Sequence, residues 1–365
     1  MKKFGYKFAT VVVGALLTAT SLTACSGNNS PAASSNSAST ATGAAVKIGL
    51  LLPESKTTRY ESFDRPLFEA KMSSLGNYSV VYSNADQDAA KQQQQAESAL
   101  TDGVKVLVLD PVNAQAAASI VASAKAQNVP VISYDRLVAG TTDLAYYISF
   151  DNEKVGKLQG QALIEELQAQ KIVNPSILMV NGSPTDGNAV LFKKGAHSVL
   201  DNSGIKILAE YDTPDWSPDK AQTWVAGQIT QFQGKINGVY AANDGTAGGA
   251  VAALKAANVT PWPVITGQDA ELAAIQRIVS GDQFMTVYKA IKTEAELAAT
   301  VADQLAKGET PTDATDVAGV PTKLLTPVVV TKANIMDTVV KDGFYTVAQI
   351  CTSQYASACA AENIK

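Results

Sequence analysis

The sequence predicts an α/β fold with two doubly wound lobes, each built around a parallel sheet. Short apolar runs alternate with stretches that carry apolar residues at helical spacing, which is the pattern of strand–helix–strand units. The alternation forms two consecutive series that meet near residue 152. About 320 residues follow a polar N-terminal segment, a length that suits two domains of ordinary size.

The first series holds five strand-like segments. They are VKIGLLL (46–52), YSVVYS (78–83), KVLVLD (105–110), PVISYD (130–135) and AYYISFD (145–151). Ala-, Gln- and Glu-rich stretches over 87–102 and 114–127 predict helices between them. A further helix from Asn152 to about Ala169 carries the chain into the second series.

The second series repeats the pattern with five more strand-like segments. They are SILMVNG (176–182), KILAEYD (206–212), GVYAAND (238–244), VITGQD (264–269) and QFMTVYK (283–289). A last helix near 292–306 and the run LLTPVVV (324–330) are expected to recross between the lobes.

These crossings set the expected lobe boundaries. The N-terminal lobe is predicted over 46–152, with about 290–322 returning to it. The C-terminal lobe is predicted over 153–289, with about 323–365 returning to it. The cleft between two such lobes is a natural place for a small molecule.

The N-terminus has the layout of a bacterial export signal. Three lysines precede an apolar stretch (8–22) that is short and Thr-rich for a membrane span, and LTAC (22–25) resembles a lipobox. We therefore expect a signal peptide over 1–24 and a diacylglycerol group on Cys25, which anchors the protein to the outer face of the cytoplasmic membrane. An ordinary signal peptide cut elsewhere is the alternative.

A flexible tether is expected to follow Cys25. Residues 26–45 contain no large apolar side chain and no charge, so they cannot bury enough surface to offset the entropy of ordering the backbone. Folding is expected to begin near Val46.

Composition argues against several function classes. With 29 basic and 34 acidic residues the net charge is −5, and no basic stripe is present, so nucleic-acid binding is not expected. Only one histidine, His197, is available, and no calcium loop is visible, so neither a metal nor a cofactor is predicted. Once Cys25 is lipidated, Cys351 and Cys359 remain as a candidate disulfide.

Polar clusters end five of the apolar runs. These are PVISYDR (130–136), ILMVNGSPTDGN (177–188), GVYAAND (238–244), VITGQD (264–269) and MTVYK (285–289). Parallel sheets gather their ligand sites at the carboxyl ends of their strands. One ligand rich in hydrogen-bonding groups is the simplest explanation.

Several blocks resemble the D-xylose-binding proteins of bacterial ABC importers. The blocks are YISFDNEKVG (147–156), GSPTDGNA (182–189), NDGTAGGA (243–250), GQDAELAAIQRIVSGDQFMTVYK (267–289) and KDGFY (341–345). Those proteins belong to the type I periplasmic binding family, with ribose-, galactose- and multiple-sugar-binding proteins. The resemblance implies two Rossmann-like lobes joined by three hinge strands. It also implies a monomer that closes on one monosaccharide and delivers it to a membrane permease and its ATPase.

The resemblance also implies a set of sugar contacts. The first lobe would contribute Arg59, Tyr60, Asp135 and Arg136. The second lobe would contribute Asp186, Asn188, Trp216, Asn243, Asp269 and Lys289. Charged and amide groups suit hydroxyls, and the rings of Trp216 and Tyr60 would cover the sugar faces. Xylose-binding proteins commonly have tryptophan in place of Tyr60, which leaves xylose, glucose, arabinose and galactose open.

The same residues also allow structural roles. Asp135 with Arg136, and Asp269 with Lys289, could be structural ion pairs, while Asn243 and Asp186 could cap helices. Trp224 and Trp262 are expected to be packing residues.

Enzyme and signalling functions are the remaining alternatives. His197 lies in a predicted helix with no G-x-S-x-G motif nearby, so serine-hydrolase chemistry is not expected. A glycosidase would pair two carboxyl groups, but Arg136 and Lys289 should keep these acids ionised. A sugar-sensing lipoprotein that docks on a receptor or kinase would have the same cleft, so signalling remains an alternative to import.

Overall fold

Two large sheets organise residues 44–365, the part of the chain that the computed structural model describes. The predicted signal peptide, Cys25 and all but the last two residues of the predicted tether lie outside the described residues. Within 44–365, every helix is too short or too polar to cross a bilayer.

The described chain contains thirteen strands. They are β1 (Val46–Leu52), β2 (Tyr78–Asn84), β3 (Val106–Leu109), β4 (Val131–Tyr134), β5 (Tyr146–Phe150), β6 (Ser176–Asn181), β7 (Lys206–Asp212), β8 (Gly238–Ala241), β9 (Val264–Ile265), β10 (Thr286–Tyr288), β11 (Thr315–Val317), β12 (Val320–Leu325) and β13 (Val328–Val330).

Eleven α-helices connect these strands in the described residues. They are α1 (Arg65–Leu75), α2 (Ala89–Thr101), α3 (Ala118–Ala126), α4 (Asn152–Ala169), α5 (Gly187–Leu200), α6 (Pro218–Gln231), α7 (Asp244–Ala256), α8 (Leu272–Ser280), α9 (Ile291–Ala306), α10 (Val347–Ile350) and α11 (Ala356–Ala361). Two π-helical turns, Tyr60–Asp64 and Met336–Val340, and two 3₁₀ turns, Pro214–Trp216 and Lys332–Asn334, complete the helical elements.

The first sheet has seven strands in the order β11-β12-β5-β4-β3-β1-β2. All its pairs are parallel except the β11–β12 hairpin. Helices α1 and α9 cover one face, and α2 and α3 cover the other. Because both faces are covered, every residue of β3, β4 and β5 is buried, which explains why these strands read as continuous apolar runs.

The second sheet has four parallel strands in the order β7-β6-β8-β9. Helices α4 and α5 pack on one face, and α6 and α7 pack on the other. Strand β10 pairs antiparallel with β13 beside this sheet. The C-terminal tail packs near α8, and a disulfide joins Cys351 to Cys359 with their Cα atoms 5.9 Å apart.

The chain passes between the two sheets three times. The crossings lie between β5 and α4, between β10 and α9, and between β12 and β13. They fall near the predicted lobe boundaries at 152, 290 and 322, and we propose them as the hinge between two lobes.

The α/β prediction with two doubly wound sheets is confirmed, and the differences lie at the edges. The run 324–330 is not one strand but the end of β12 and the start of β13, broken at Thr326-Pro327. Pro327 fixes its own φ and has no N–H for a ladder, so the chain turns there towards the other sheet. The β11–β12 hairpin was not predicted; all three residues of β11 are exposed, so the strand carries no apolar pattern.

Candidate functional site

A small cavity lies between the carboxyl ends of the two sheets. All ten predicted contact residues line it, together with three that were not predicted. The lining consists of Thr57, Arg59, Tyr60, Asp135, Arg136, Asp186, Asn188, Phe192, Trp216, Asn243, Gln268, Asp269 and Lys289. The structure therefore brings together every residue of the predicted set, while their ligand-binding roles remain predictions.

Strand ends place these side chains. Asp135 directly follows β4, and Asn243 follows β8 by two positions. Lys289 directly follows β10, where the chain crosses back to the first sheet. Parallel strands that end at one edge bring such residues together although they are distant in sequence.

Three lining residues adopt left-handed backbone conformations that side chains usually avoid. The φ angles are 54° at Asp135, 53° at Trp216 and 96° at Asp269. Such conformations cost on the order of 1–3 kcal/mol each and persist where the surroundings fix them. Because all three residues line the cavity, we infer that the strained backbone orients their side chains towards it.

Arg59 anchors the floor of the cavity. Its guanidinium donates to Asp64 at 2.6 and 2.9 Å, to Asp135 Oδ1 at 3.0 Å and to Glu294 Oε2 at 2.6 Å. The Tyr134 hydroxyl also donates to Asp64. All of these groups are buried, so each charge depends on the others for compensation. Most donors of Arg59 are thus used to hold carboxylates in place, two of them on Asp64 and one each on Asp135 and Glu294.

The two sides of the cavity contact each other directly. Arg136 Nε lies 3.0 Å from Asp186 Oδ2, and Asn188 Nδ2 donates to the Asp135 carbonyl at 3.0 Å. Lys289 Nζ lies 2.9 Å from Asp269 Oδ1 and 4.0 Å from Asp135 Oδ1. Charged groups from both sheets therefore meet over the same small volume.

Trp216 is held by three neighbours. Its indole N–H donates to Asp186 Oδ2 at 2.9 Å, and its ring meets Phe192 edge-on with centroids 6.3 Å apart. A Cβ on Gly182 would stand 2.0 Å from Cη2 of Trp216, so only glycine allows this approach. The ring is 4% exposed and forms part of the cavity wall.

Tyr60 differs from a tryptophan through its hydroxyl. The phenol donates to Asp135 Oδ2 at 3.2 Å and accepts from Arg136 Nη2 at 3.0 Å. The guanidinium groups of Arg59 and Arg136 lie 5.3 and 5.7 Å from its ring centroid. Tyr60 consequently links the first-lobe charges as well as lining the cavity.

Two lining residues also cap helices, as the structural alternative proposed. Asn243 Oδ1 accepts from the Thr246 amide at 2.9 Å at the start of α7, and Asp186 Oδ1 accepts from the Asn188 amide at 2.8 Å at the start of α5. Capping uses one oxygen of each side chain. It leaves the Asn243 NH₂ group without a hydrogen bond inside residues 44–365, so capping and ligand contact are compatible.

The pKa values of two carboxyl groups in the cavity shift in opposite directions. Burial alone would raise the pKa of Asp135, but Arg59, Lys289 and Arg136 lower it to about 2. Burial raises the pKa of Asp186, although Arg136 opposes the shift. The expectation that the cations would prevent a rise in pKa therefore describes Asp135 but not Asp186, because the desolvation of Asp186 outweighs one guanidinium.

Three lining residues were missed. Gln268 stands next to the predicted Asp269 at the same strand end, so its position in GQD was an available signal. Phe192 lies one turn into α5, where an apolar residue reads as ordinary packing. Thr57 lies in a loop with no regular pattern.

His197 lies away from the cavity. Its ring nitrogens contact Asp201 Oδ1 at 2.8 Å and Glu210 Oε1 at 3.2 Å on the surface of α5. Trp224 stacks on Tyr211 with centroids 5.3 Å apart, and Trp262 donates to the Asp282 carbonyl at 3.1 Å.

The lining of the cavity suits a small molecule covered with hydroxyl groups. Its walls combine carboxylates and amides that accept, cations and amides that donate, and aromatic rings that cover weakly apolar faces. Each hydroxyl both donates and accepts, so it can satisfy either kind of group.

Known proteins are similar to this chain in both sequence and fold. The family model for the periplasmic binding protein domain matches residues 48–310. The chain is 40% identical over 308 residues to the D-xylose-binding periplasmic protein of Escherichia coli (strain K12), and 38% identical over 311 residues to that of Haemophilus influenzae. Each match covers 82% of this chain and 91% of the relative.

A solved structure agrees with these matches. The ABC transporter solute binding protein from Clostridium phytofermentans, with bound β-D-glucose, superposes with a TM-score of 0.76 at 29% identity, over 83% of this chain and 99% of that one. The resemblance inferred from the sequence blocks is thereby confirmed, and the chain belongs to the periplasmic binding protein family.

Proposed function

We propose that this protein is an exported lipoprotein that captures one monosaccharide, D-xylose, between its lobes and delivers it to an ABC permease. The observation that carries the proposal is the convergence of ten predicted sugar contacts, from both lobes, on one buried cavity. The 40% identity to a D-xylose-binding protein over most of the chain supports the choice of sugar.

The chemistry of the cavity supports binding without catalysis. Asp135 is held ionised and is suited to accept from hydroxyls, while Lys289 and Arg136 are suited to donate. The rings of Trp216 and Tyr60 are proposed to cover the two faces of the pyranose. A glycosidase would need a proton-donating acid opposite a second carboxylate, with both free to reach the sugar. Here the acids are tied to cations, and we propose that the protein is not an enzyme.

Closure of the lobes is the proposed means of capture. Arg136 and Asp186 come from opposite lobes, as do Asn188 and Asp135, so each pair separates when the lobes open. A bound sugar would add hydrogen bonds to both walls and stabilise the closed arrangement. Closure without sugar leaves buried polar groups short of partners, which opposes it.

The remaining features concern location and partners. We propose that Cys25 carries the lipid, that residues up to 45 form the tether and that the protein acts as a monomer. The closed form would present a surface on both lobes to a permease with its ATPase.

A broader sugar range is the second candidate. It is favoured by Tyr60, whose hydroxyl is already bonded to Asp135 and Arg136, and by the glucose bound in the Clostridium phytofermentans structure. A tyrosine covers less of a sugar face than a tryptophan, so a cavity with Tyr60 could discriminate less between pentoses and hexoses.

The proposal can be tested by uptake of labelled D-xylose in cells that lack the gene. Restoring the gene should restore uptake at low sugar concentration, whereas the Asp269→Ala form should not. Unchanged uptake without the gene, together with altered sugar-dependent gene expression, would instead favour a sensor that signals to a receptor or kinase.

A further inference from the structure

We infer that Gln268 is a specificity-determining residue of this cavity, which accepts a hydrogen bond from one hydroxyl of the bound sugar. The inference rests on the proposed function and names one contact within the same site. Gln268 was not among the predicted contacts. It is 2% exposed and lines the cavity three residues after the end of β9.

Gln268 Oε1 is a buried acceptor that lacks a partner. Among the lining residues, three buried side-chain atoms have no hydrogen-bond partner in the described chain: Arg136 Nε, Asp269 Oδ1 and Gln268 Oε1. Arg136 Nε faces Asp186 at 3.0 Å, and Asp269 Oδ1 faces Lys289 at 2.9 Å, so both have an ionic partner. Gln268 Oε1 has neither, and a buried unpaired carbonyl is destabilising unless a ligand donor satisfies it.

The orientation of the Gln268 amide follows from its neighbours. Nε2 lies 3.4 Å from the Ala242 carbonyl oxygen and 3.2 Å from Asp269 Oδ2, and both of these atoms can only accept. Turning the amide over would place Oε1 against two oxygens, so the nitrogen must occupy this side. Both amide hydrogens are thereby committed, and the group can offer a ligand only its acceptor.

Asn243 offers the opposite role from the neighbouring strand. Strands β8 and β9 are paired, and the Asp244 amide donates to the Gln268 carbonyl at 2.9 Å, so the two strand ends lie side by side. The Asn243 oxygen is used by Thr246, which leaves its NH₂ group as a donor. The Asn243 amide can thus only donate to a ligand, and the Gln268 amide can only accept. Such a pair suits one hydroxyl, or two adjacent hydroxyls, of a polyol.

This arrangement makes a specific demand on the ligand. An analogue that carries hydrogen in place of the matching hydroxyl would leave Oε1 buried and unpaired, and sites built to bond a hydroxyl reject such analogues strongly. Gln268 would therefore contribute to the choice between sugars that differ at that one carbon.

The test is a thermodynamic cycle that combines the loss of the Gln268 side chain with the loss of one sugar hydroxyl. Binding of D-xylose and of its 1-deoxy, 2-deoxy, 3-deoxy and 4-deoxy analogues would be measured by calorimetry for the wild type and for Gln268→Leu. We expect Gln268→Leu to bind D-xylose about tenfold more weakly, the scale of one buried hydrogen bond. One analogue should bind the wild type weakly but bind Gln268→Leu as tightly as D-xylose does.

Controls separate this inference from the proposed function and from misfolding. Gln222→Leu, the same change at an exposed position of the second lobe, should match the wild type. If Gln268→Leu does not fold, Gln268→Met has the same reach and no acceptor and replaces it in the cycle. The inference would be overturned if the D-xylose affinity of Gln268→Leu were within twofold of wild type. It would also be overturned if all four analogues lost as much affinity for Gln268→Leu as they lose for the wild type. Failure of the wild type to bind any monosaccharide would instead reject the proposed function, and the inference with it.

Discussion

Trp216 rests against the bare α-carbon of Gly182, so closely that a methyl group there would stand 2.0 Å from Cη2 and 2.2 Å from Cζ2 of the indole. Gly182 ends the apolar run of β6, and Trp216 follows β7, the neighbouring strand. The glycine therefore sets the depth at which the tryptophan forms the cavity wall.

Replacing Gly182 by alanine should push the indole into the cavity. We expect the sugar affinity of Gly182→Ala to fall at least tenfold, roughly 1.4 kcal/mol, because the displaced ring loses its bond to Asp186 and narrows the site. Calorimetry with D-xylose measures the change. Gly227→Ala is the matched control: a methyl group there would have no heavy atom within 4 Å, and helix α6 should tolerate or favour alanine. Equal affinity for both variants would contradict the role given to Gly182.

The three tryptophans should report sugar binding unequally. Trp216 lines the cavity, whereas Trp224 stacks on Tyr211 and Trp262 bonds to Asp282. Saturating D-xylose should change the intrinsic fluorescence of the wild type, of Trp224→Phe and of Trp262→Phe. The change should be absent from Trp216→Phe at a sugar concentration that still saturates it. A response that persists in Trp216→Phe and vanishes with another tryptophan would place the sugar elsewhere.

Removing Asp269 should abolish measurable sugar binding while the fold remains intact. The change deletes a charged acceptor and leaves the buried Lys289 without its partner at 2.9 Å, so we expect a loss of about a hundredfold or more. Asp219→Ala, at an exposed position of α6, should bind normally. Circular dichroism checks the fold of both variants. Unchanged affinity in Asp269→Ala would refute the assigned site.

The single histidine allows a pH prediction with a definite sign. Burial alone would lower the pKa of His197, but its hydrogen bonds to Asp201 and Glu210 raise it above the ordinary value. A folded-state pKa above the unfolded value means that His197 stabilises the fold fully below about pH 6.5 and loses this contribution as pH rises through the folded-state pKa.

The measurement compares wild type with His197→Gln across this range. The stability advantage of the wild type should be greatest in acid and should shrink with rising pH, and the histidine proton resonance should titrate above its ordinary pKa. An advantage that grows with pH would show that the sign is wrong. Sugar affinity should not follow the same titration, since His197 lies away from the cavity.

Cys25 should decide where the protein resides. Fractionated cells should show the wild type in the membrane and Cys25→Ser released or unprocessed, because acyl chains supply the only predicted anchor. Mass spectrometry of the wild-type N-terminal peptide provides a direct check for the lipid. Wild-type protein that is fully soluble and unmodified would point to an ordinary signal peptide.

The sequence predicted the bounds of several elements residue for residue. Strands β1 and β7 and helix α4 have the predicted bounds, although β7 is an edge strand with no buried residue. Strand ends that turn into the cavity were harder to predict. Strand β9 covers only two of the six residues in VITGQD, because the remaining polar residues turn into the cavity rather than extend the sheet.

The sequence predicted most of the residues that line the site but not how they pair with one another. Strand-end position and family resemblance indicated Asp135, Asp269 and Lys289, yet no pattern showed that Arg59 would be occupied by Asp64 and Glu294. Glu294 lies 235 residues away on α9, so its approach depends on how the last crossing returns to the first sheet. Likewise, Phe192 reads as helix packing until the position of Trp216 is known.

The most direct test of the central claim is calorimetric titration of residues 44–365, which fold as one compact unit, with D-xylose and, in parallel, glucose, arabinose, galactose and ribose. Our account predicts one-to-one binding with D-xylose among the tightest ligands and a much weaker response from Asp269→Ala. Comparable affinity for several sugars would identify the broader sugar-binding candidate. The absence of binding to every monosaccharide would contradict the assignment of this cavity as a sugar site.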